Sequence, residues 1–408
     1  MTQQHTPRLS AYTIDDFRPN DREGFLSLYS TVFGVERTDD WFRWKYERNP
    51  YVDHVPITVA RDRDTGEVVG CRSYFPLEVC FDGASRVAFQ PCDTMVHPEH
   101  QRRGLFTAMN RWGLERYEGK ADGPAFFFNF PNAQSKPGNE RLGWKPVGTV
   151  PMYYRPQNPV GVLSRWAQAA TNRHGFTDQS TGLPEDAAAI ESVTNPADTL
   201  ESVEHTLTKA IQISHRLCDQ AVTRNLPTTI RIDRYDAPPI AHLERLARRS
   251  AVAGVAVSRR APFYRWRLDN PAREYVTFLA ARRDSGRPLA ALIVSPVDDH
   301  VRIVDSFPRA VAPSDSTDAE NALAPLESLL ETVLGTYQDR AFVTAFGNVL
   351  PRPLRYRFVP DTQSPLSSII KPTARTLYAR GVGDFETATL RSSSVDDWHL
   401  SRLDLDTA

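Results

Sequence analysis

The stretch "HPEHQRRGLF", His97 to Phe106, sets a proline, two arginines and a glycine between an apolar run ending at Val96 and a segment of helical spacing. Val87 to Val96 reads as a strand. Downstream, Leu105, Ala108, Met109 and Trp112 recur on one face, which predicts a helix from about Gly104 to Gly119. A turn that leaves a strand and opens a helix presents backbone N–H groups without intrahelical partners, and the helix dipole adds positive potential there. Gly104 would let the backbone approach an anion closely, and Arg102 and Arg103 add charge-assisted donors. The pattern is that of an anion cradle, with a solvated turn as its plain alternative. Neither G-x-x-x-x-G-K-[ST] nor G-x-G-x-x-G occurs, which removes a nucleotide-triphosphate loop and a dinucleotide fold.

Working outward, the N-terminal third alternates helix and strand signals. "YTIDDF" reads as a short strand, and Asn20 or Asp21 can cap a helix carrying Phe25, Leu26, Leu28, Tyr29 and Phe33 that Gly34 ends. Thr38 is the expected cap of a second helix containing "WFRWKY". The run from Ile57 onward reads as consecutive antiparallel strands with turns at Asp64-Thr65-Gly66 and Asp82-Gly83. "AFFFNF" is a buried strand closed by Pro131. Residues 157–226 contain two helical stretches around a linker and carry no chemical signal.

Composition narrows the class. A chain of 408 residues is too long for one ordinary core. Lys and Arg number 49 against 50 Asp and Glu, so charge gives no reason to expect nucleic acid or an anionic membrane as partner. No run approaches the roughly 18 apolar residues that span a bilayer, and "MTQQHTPRLS" has no apolar leader core. A soluble, cytoplasmic protein is the expectation. Cys71, Cys80, Cys92 and Cys218 lack C-x-x-C pairing and histidines at zinc spacing, so they read as buried thiols and no metal is expected.

The last third echoes the first. "FYRWRLDNP" at 263–271 resembles "WFRWKYERNP" at 41–50, "AARRDSGRPLAAL" at 280–292 resembles "VARDRDTGEVVGC" at 59–71, and "RFVPDTQSPLSSIIKP" at 357–372 resembles "GWKPVGTVPMYYRP" at 143–156. Three echoes in one order predict a tandem duplication of an α/β unit. The expected domains are 1–156, a helical linker 157–226, a degenerate second unit 227–375 and a tail 376–408. After "VRIVDSF" the second unit has no Gln or Arg followed three residues later by glycine, so it is expected to lack the cradle.

Val96-His97-Pro98, followed by Gln101-Arg102-Arg103-Gly104-Leu105-Phe106, resembles the GNAT superfamily of acyl-CoA-dependent N-acyltransferases, whose signature is V-x-P, then Q/R-x-x-G-x-G/A, then a helix. The later Asn132, with Ser135 three residues on, Gly143 eleven on and Trp144 twelve on, resembles the family's second motif. Phe106 departs from the family's glycine or alanine. The resemblance implies an α/β (α+β) fold, here two units, each a mixed, mostly antiparallel twisted sheet flanked by helices. It further implies acetyl-CoA as cosubstrate. Backbone groups of Thr94, Met95 and Val96 would pair with the pantetheine arm, and the turn from Gln101 through Arg102, Arg103, Gly104, Leu105, Phe106 and Thr107 would take the pyrophosphate. Asn132 and Ser135 would line the arm, although Asn132 serves equally well as a strand-end turn former.

The family's usual acid and base are missing: Asn139 stands where the thiolate-protonating tyrosine is common, and Gln90 where some relatives carry a glutamate. Candidate bases are Asp93, Glu99, Tyr74 and the carboxylate of Ala408. The last is suggested by the enhanced-intracellular-survival type of aminoglycoside acetyltransferase, which is similar in pairing a tandem unit with a terminal carboxylate in its site. Trp41 and Trp44 read as core, while Tyr74, Tyr153 and Tyr154 suit core or an acceptor pocket equally. The expected function is N-acetyl transfer to an amine of a small molecule or sugar. A non-catalytic acyl-CoA sensor is the alternative. An aminoacyl-tRNA-fed peptidyl transferase is disfavoured by the coenzyme A turn and the lack of net basic charge.

Overall fold

The computed structural model describes residues 9–118, 120, 123–133, 135–157, 228–250, 252–309, 316–364, 366, 376–383, 385, 390 and 394–407, with the backbone alone at 316–322. The linker helices expected within 158–226, Cys218 and Ala408 therefore lie outside the described residues, as do residues 310–315 of the segment after Pro308 where a second cradle was sought.

Strand β1 (Tyr12–Asp16) leads to helix α1 (Arg22–Phe33), whose Phe25, Leu28, Tyr29 and Phe33 are buried along one face. Gly34 closes it in the left-handed conformation, φ 67°. Thr38 Oγ1 then accepts the Trp41 N–H at 3.2 Å and starts α2 (Asp39–Phe42). The helix widens into a π turn over Arg43–Glu47, and this wide turn buries three successive side chains, Trp44, Lys45 and Tyr46. Strands β2 (Ile57–Asp62), β3 (Val68–Phe81) and β4 (Ala84–Val96) form the expected antiparallel run. Helix α3 (Leu105–Tyr117), β5 (Phe126–Asn129), α4 (Lys136–Arg141), β6 (Lys145–Thr149) and β7 (Met152–Pro156) complete the first segment.

The second segment contributes β8 (Ile230–Tyr235), α5 (Ile240–Arg249), β9 (Val255–Val257), α6 (Ala261–Arg267), β10 (Val276–Arg282), β11 (Pro288–Pro296) and β12 (His300–Phe307). Helix α7 (Ser316–Thr336), β13 (Phe342–Phe346), β14 (Val359–Pro360), β15 (Thr376–Gly381) and β16 (Trp398–His399) follow. Two mixed sheets flanked by helices result, an α/β architecture.

The sheets share one plan. The first runs β1-β2-β3-β4-β5-β15-β6 and the second β8-β10-β11-β12-β13-β7-β14. In each, four antiparallel strands are followed by one parallel neighbour, β4 with β5 and β12 with β13. The sixth place is filled reciprocally. Strand β7 of the first segment sits between β13 and β14, and β15 of the second sits between β5 and β6. The boundary expected at 156 and the tail expected from 376 are therefore crossed by the hydrogen-bonded sheets. The sequence echoes do not say which sheet a strand joins. One continuous core runs through both units, from Phe25 and Trp44 to Trp266, Phe346 and Leu403. Among the described residues no helix is long and apolar enough to cross a membrane.

Candidate active site

The register of β3 and β4 decides the site. Cys71 faces Met95 and Ser73 faces Cys92, so Asp93 and Thr94 together oppose Arg72. This is a β-bulge, and Asp93 takes a left-handed φ of 39° to make it. Beyond the parallel pairs Ala88–Phe126 and Phe89–Phe127, β4 and β5 have no further ladder, and the two strands part. A cavity of about 580 Å³ opens at the split, with β4 from Gln90 to Val96 on one side and Asn129 to Asn132 on the other.

At the mouth of this wedge lies the turn that opened the sequence. A short 3-10 turn, Pro98–His100, runs into Arg102 at φ 60° and Gly104 at φ 89°, the N-cap of α3. Two left-handed residues at a helix start form a concave array of backbone N–H groups suited to anions. Arg102 is exposed and lines the cavity. Arg103 instead braces the turn, donating to the Tyr12 hydroxyl at 2.7 Å and to the Glu99 carbonyl at 2.8 Å.

At the inner end, the wide turn after α2 delivers Lys45 beside the bulge. Its ammonium donates to Asp93 Oδ2 at 2.6 Å and lies 3.6 Å from Asp406 Oδ2. Burial is the largest single influence and works against the lysine's charge, but Asp93, Cys92, Asp406 and Tyr29 together outweigh it and hold the pKa above the ordinary lysine value. Asp406 is brought in by the C-terminal segment: Arg267 of α6 donates to the carbonyls of Leu403 at 2.9 Å and Leu405 at 2.8 Å, and Arg259 pairs with Asp404 at 2.6 Å. Gln90 Oε1 accepts the Asp406 backbone N–H at 2.7 Å and fixes the last step. Burial, with the Asp93 charge adding to it against Lys45, pushes the Asp406 carboxyl up to about 6.

The sequence candidates divide accordingly. Asp93, Thr94, Val96, Gln101, Arg102, Gly104, Leu105, Phe106, Asn132 and Ser135 line the cavity. The Met95 side chain points into the core, leaving its backbone on the open edge, and the Thr107 side chain is exposed outside the lining. Glu99 is exposed on the outer turn and not part of the lining. Tyr74 is buried beneath α3, its hydroxyl packed where Gly113 leaves room, and burial raises its pKa. It does not reach the cavity. As proposed bases, Glu99 and Tyr74 are therefore corrected on position. Asp93 does line the cavity, with Lys45 and the Tyr46 hydroxyl on its Oδ2 and no hydrogen-bond partner on its Oδ1. Ser135 donates its N–H to Asn132 Oδ1 at 2.9 Å, so Asn132 does act as a turn former. Lys45, Arg72 and Asp406 were missed. Lys45 hides in an aromatic run, and Asp406 is placed by contacts hundreds of residues distant.

Residues 13–147 match the family model described as an acetyltransferase (GNAT) domain. The matched region lies within the N-terminal unit. No curated protein matches the chain. Among solved structures, a GCN5-related N-acetyltransferase from Anabaena variabilis is similar at 11% identity, over 91% of this chain and 73% of that one, with a TM-score of 0.52. The counterpart from Kribbella flavida gives 13% identity, 91% and 71% coverage and 0.50. Saccharomyces cerevisiae N-myristoyltransferase, solved with bound myristoyl-CoA, gives 12% identity, 93% and 80% coverage and 0.52. At these identities the likeness is one of fold. The matched region ends before β7, so it includes the bulge and the cradle but not the segment that supplies Asp406.

Proposed function

We propose that the protein is an acyl-CoA-dependent N-acyltransferase that moves a short acyl group, acetyl in its simplest form, onto an amine of a small molecule or sugar. The observation that carries this reading is one cavity with an anion-suited helix start at one end and a buried carboxylate of raised pKa at the other. The residues present fit coenzyme A. The amides of the Arg102–Thr107 turn and the Arg102 guanidinium suit a pyrophosphate, and the unpaired edge of β4 at Thr94–Val96 suits the amide-bearing arm.

Asp406 takes the role of base. An alkylammonium with pKa near 10.4 costs about 4–5 kcal/mol to deprotonate at pH 7, whereas expelling a thiol of pKa about 8.5 as thiolate costs only about 2 kcal/mol. The residue the chemistry needs most is therefore the base, and the absence of a tyrosine at Asn139 is the smaller loss. Asp406 accepts the amine proton as nitrogen attacks the thioester carbonyl. The carbon–sulfur bond breaks, the amide forms, and coenzyme A leaves as thiolate and is protonated by water. Lys45 holds Asp93 and Asp406 in one cluster and keeps the latter ionised near neutral pH.

Titration of the full chain with acetyl-CoA, followed by thiol release with a panel of primary amines, tests this reading. Binding with amine-dependent release is the expected result. Binding without release from any amine would favour the sensor, and no binding would end the acyl-CoA reading.

A further inference from the structure

Arg72 is a buried guanidinium that nothing in the protein neutralises. It is 4% exposed and lines the cavity opposite the bulge. Its Nη1 donates to Thr94 Oγ1 and the guanidinium lies against the neutral Tyr74 hydroxyl, so its only polar neighbours are uncharged. Among the described residues no carboxylate pairs with it. The groups that act on it are the Tyr74 hydroxyl and the Cys92 thiol, and burial raises the pKa of both, leaving them uncharged at neutral pH. A buried charge without a partner is among the costliest arrangements in a fold. Every other fully buried cation around the site has its partners: Lys45 has Asp93, Arg259 has Asp305 and Asp404, and Arg267 has two backbone carbonyls.

Its side of the sheet says which substrate it faces. Cys71 and Phe75 point into the core beneath α1, whereas Tyr74 lies beneath α3, and the Arg72 guanidinium sits 5.7 Å from the Tyr74 ring centre. Arg72 is thus on the α3 side, the side of the cradle, while Asp406 reaches the cavity with Lys45. Across the wedge, Asn129 presents a buried Oδ1 without a partner. Near the bulge the wall is polar and charged, with Arg72, Gln90 and Asn129 beside the Asp93 and Asp406 carboxylates, and Val32, Phe33 and Phe130 complete the lining.

We propose that the acyl donor carries a carboxylate of its own, as a short dicarboxylic acyl-CoA does, and that Arg72 is its receptor. This rests on the acyl-CoA reading above and replaces acetyl as the preferred group. The carboxylate would accept from the Arg72 guanidinium at the cavity wall, in a charge-assisted hydrogen bond.

The test is calorimetric titration of the full chain with coenzyme A, butyryl-CoA and succinyl-CoA, the last two matched in length and differing in charge. The wild type should bind succinyl-CoA about ten to a hundredfold more tightly than butyryl-CoA, the range of a charge-assisted hydrogen bond. Arg72→Gln and Arg72→Met should lose that preference while keeping their affinity for coenzyme A, and Arg72→Lys should keep part of it. Equal wild-type affinities for the two thioesters overturn the proposal whether or not any variant folds. So does a preference that survives in Arg72→Gln, or an equal loss for coenzyme A itself, which would assign the guanidinium to the pantetheine arm. If none of the three binds, the acyl-CoA reading falls and this inference with it.

Discussion

Trp44 and Trp266 each donate an indole N–H to the other's backbone carbonyl, at 2.7 and 2.8 Å, with ring centres 6.2 Å apart. The two residues occupy matching places in "WFRWKY" and "FYRWR", and their exchange is what a local two-fold relation between the units requires. The likeness extends further. Lys45 follows Trp44 and holds the bulge aspartate Asp93; Arg267 follows Trp266 and holds the C-terminal segment; and β12 has its own register slip at Asp305, paired with Arg259 and Arg309. Trp44→Phe and Trp266→Phe should each cost about 0.5–1.5 kcal/mol, because each removes one buried hydrogen bond. Urea unfolding of the two variants should give closely similar losses.

Asp406→Asn should lower kcat/KM by about 10² to 10⁴, the usual contribution of a general base, with little change in acyl-CoA affinity. The wild-type rate should climb as pH passes about 6, where the Asp406 carboxyl ionises, and this limb should vanish in the variant. Stability carries the opposite sign. A carboxyl whose pKa is raised on folding binds its proton more tightly in the native state, so stability falls as pH rises from about 4 to about 6. Denaturation at pH 4.5 and 7 should show a smaller difference in Asp406→Asn than in wild type.

Arg267→Met should reproduce much of that loss by a different route. Without its two hydrogen bonds the Leu403–Leu405 segment loses its clamp, and Asp406 with it. The expected pattern is reduced kcat, a displaced acidic limb and unchanged coenzyme A affinity. A variant that lost stability but kept the wild-type pH profile would show that the clamp does not position the base.

Gly104→Asp should weaken coenzyme A binding more than Arg102→Ala. The first places a side chain on a residue at φ 89° and a negative charge at the cradle. The second removes one charge-assisted contact worth about 1.5–3 kcal/mol. Calorimetry on the folded variants ranks them directly.

Lys45→Met should destabilise by about 3–5 kcal/mol, since Asp93 and Asp406 would remain buried without their counter-charge. Adding Asp93→Asn should recover part of the loss, a coupling that a double-mutant cycle measures.

What the sequence disclosed was what is local in it. The strand, V-x-P, the Gly104 turn and the helix lie within about 30 residues, and each is set by turn chemistry or one-face spacing. The bulge left no trace, because Asp93 adopts its left-handed φ without the glycine that usually advertises one. Alternation like that of the C-terminal "LDLD" ordinarily marks one apolar and one solvated face. In the structure Leu403, Asp404, Leu405 and Asp406 are all buried, the acids being matched by Arg259 and Lys45 from afar.

The crossing of β7 and β15 has a bearing on the order in which the protein can be made. Asn129 of β5 pairs with Tyr378, so the first sheet cannot close until the ribosome has emitted the chain to about residue 381, and Asp406 follows later still. Contacts of such long sequence separation are slow to form, and the nascent N-terminal half must wait with the β5 and β6 edges unfilled. The cradle can assemble early in synthesis, but the carboxylate that would draw a proton from the acceptor lies far later in the chain, at Asp406. A nascent chain stalled before that point would hold the anion-binding turn without the means to turn over.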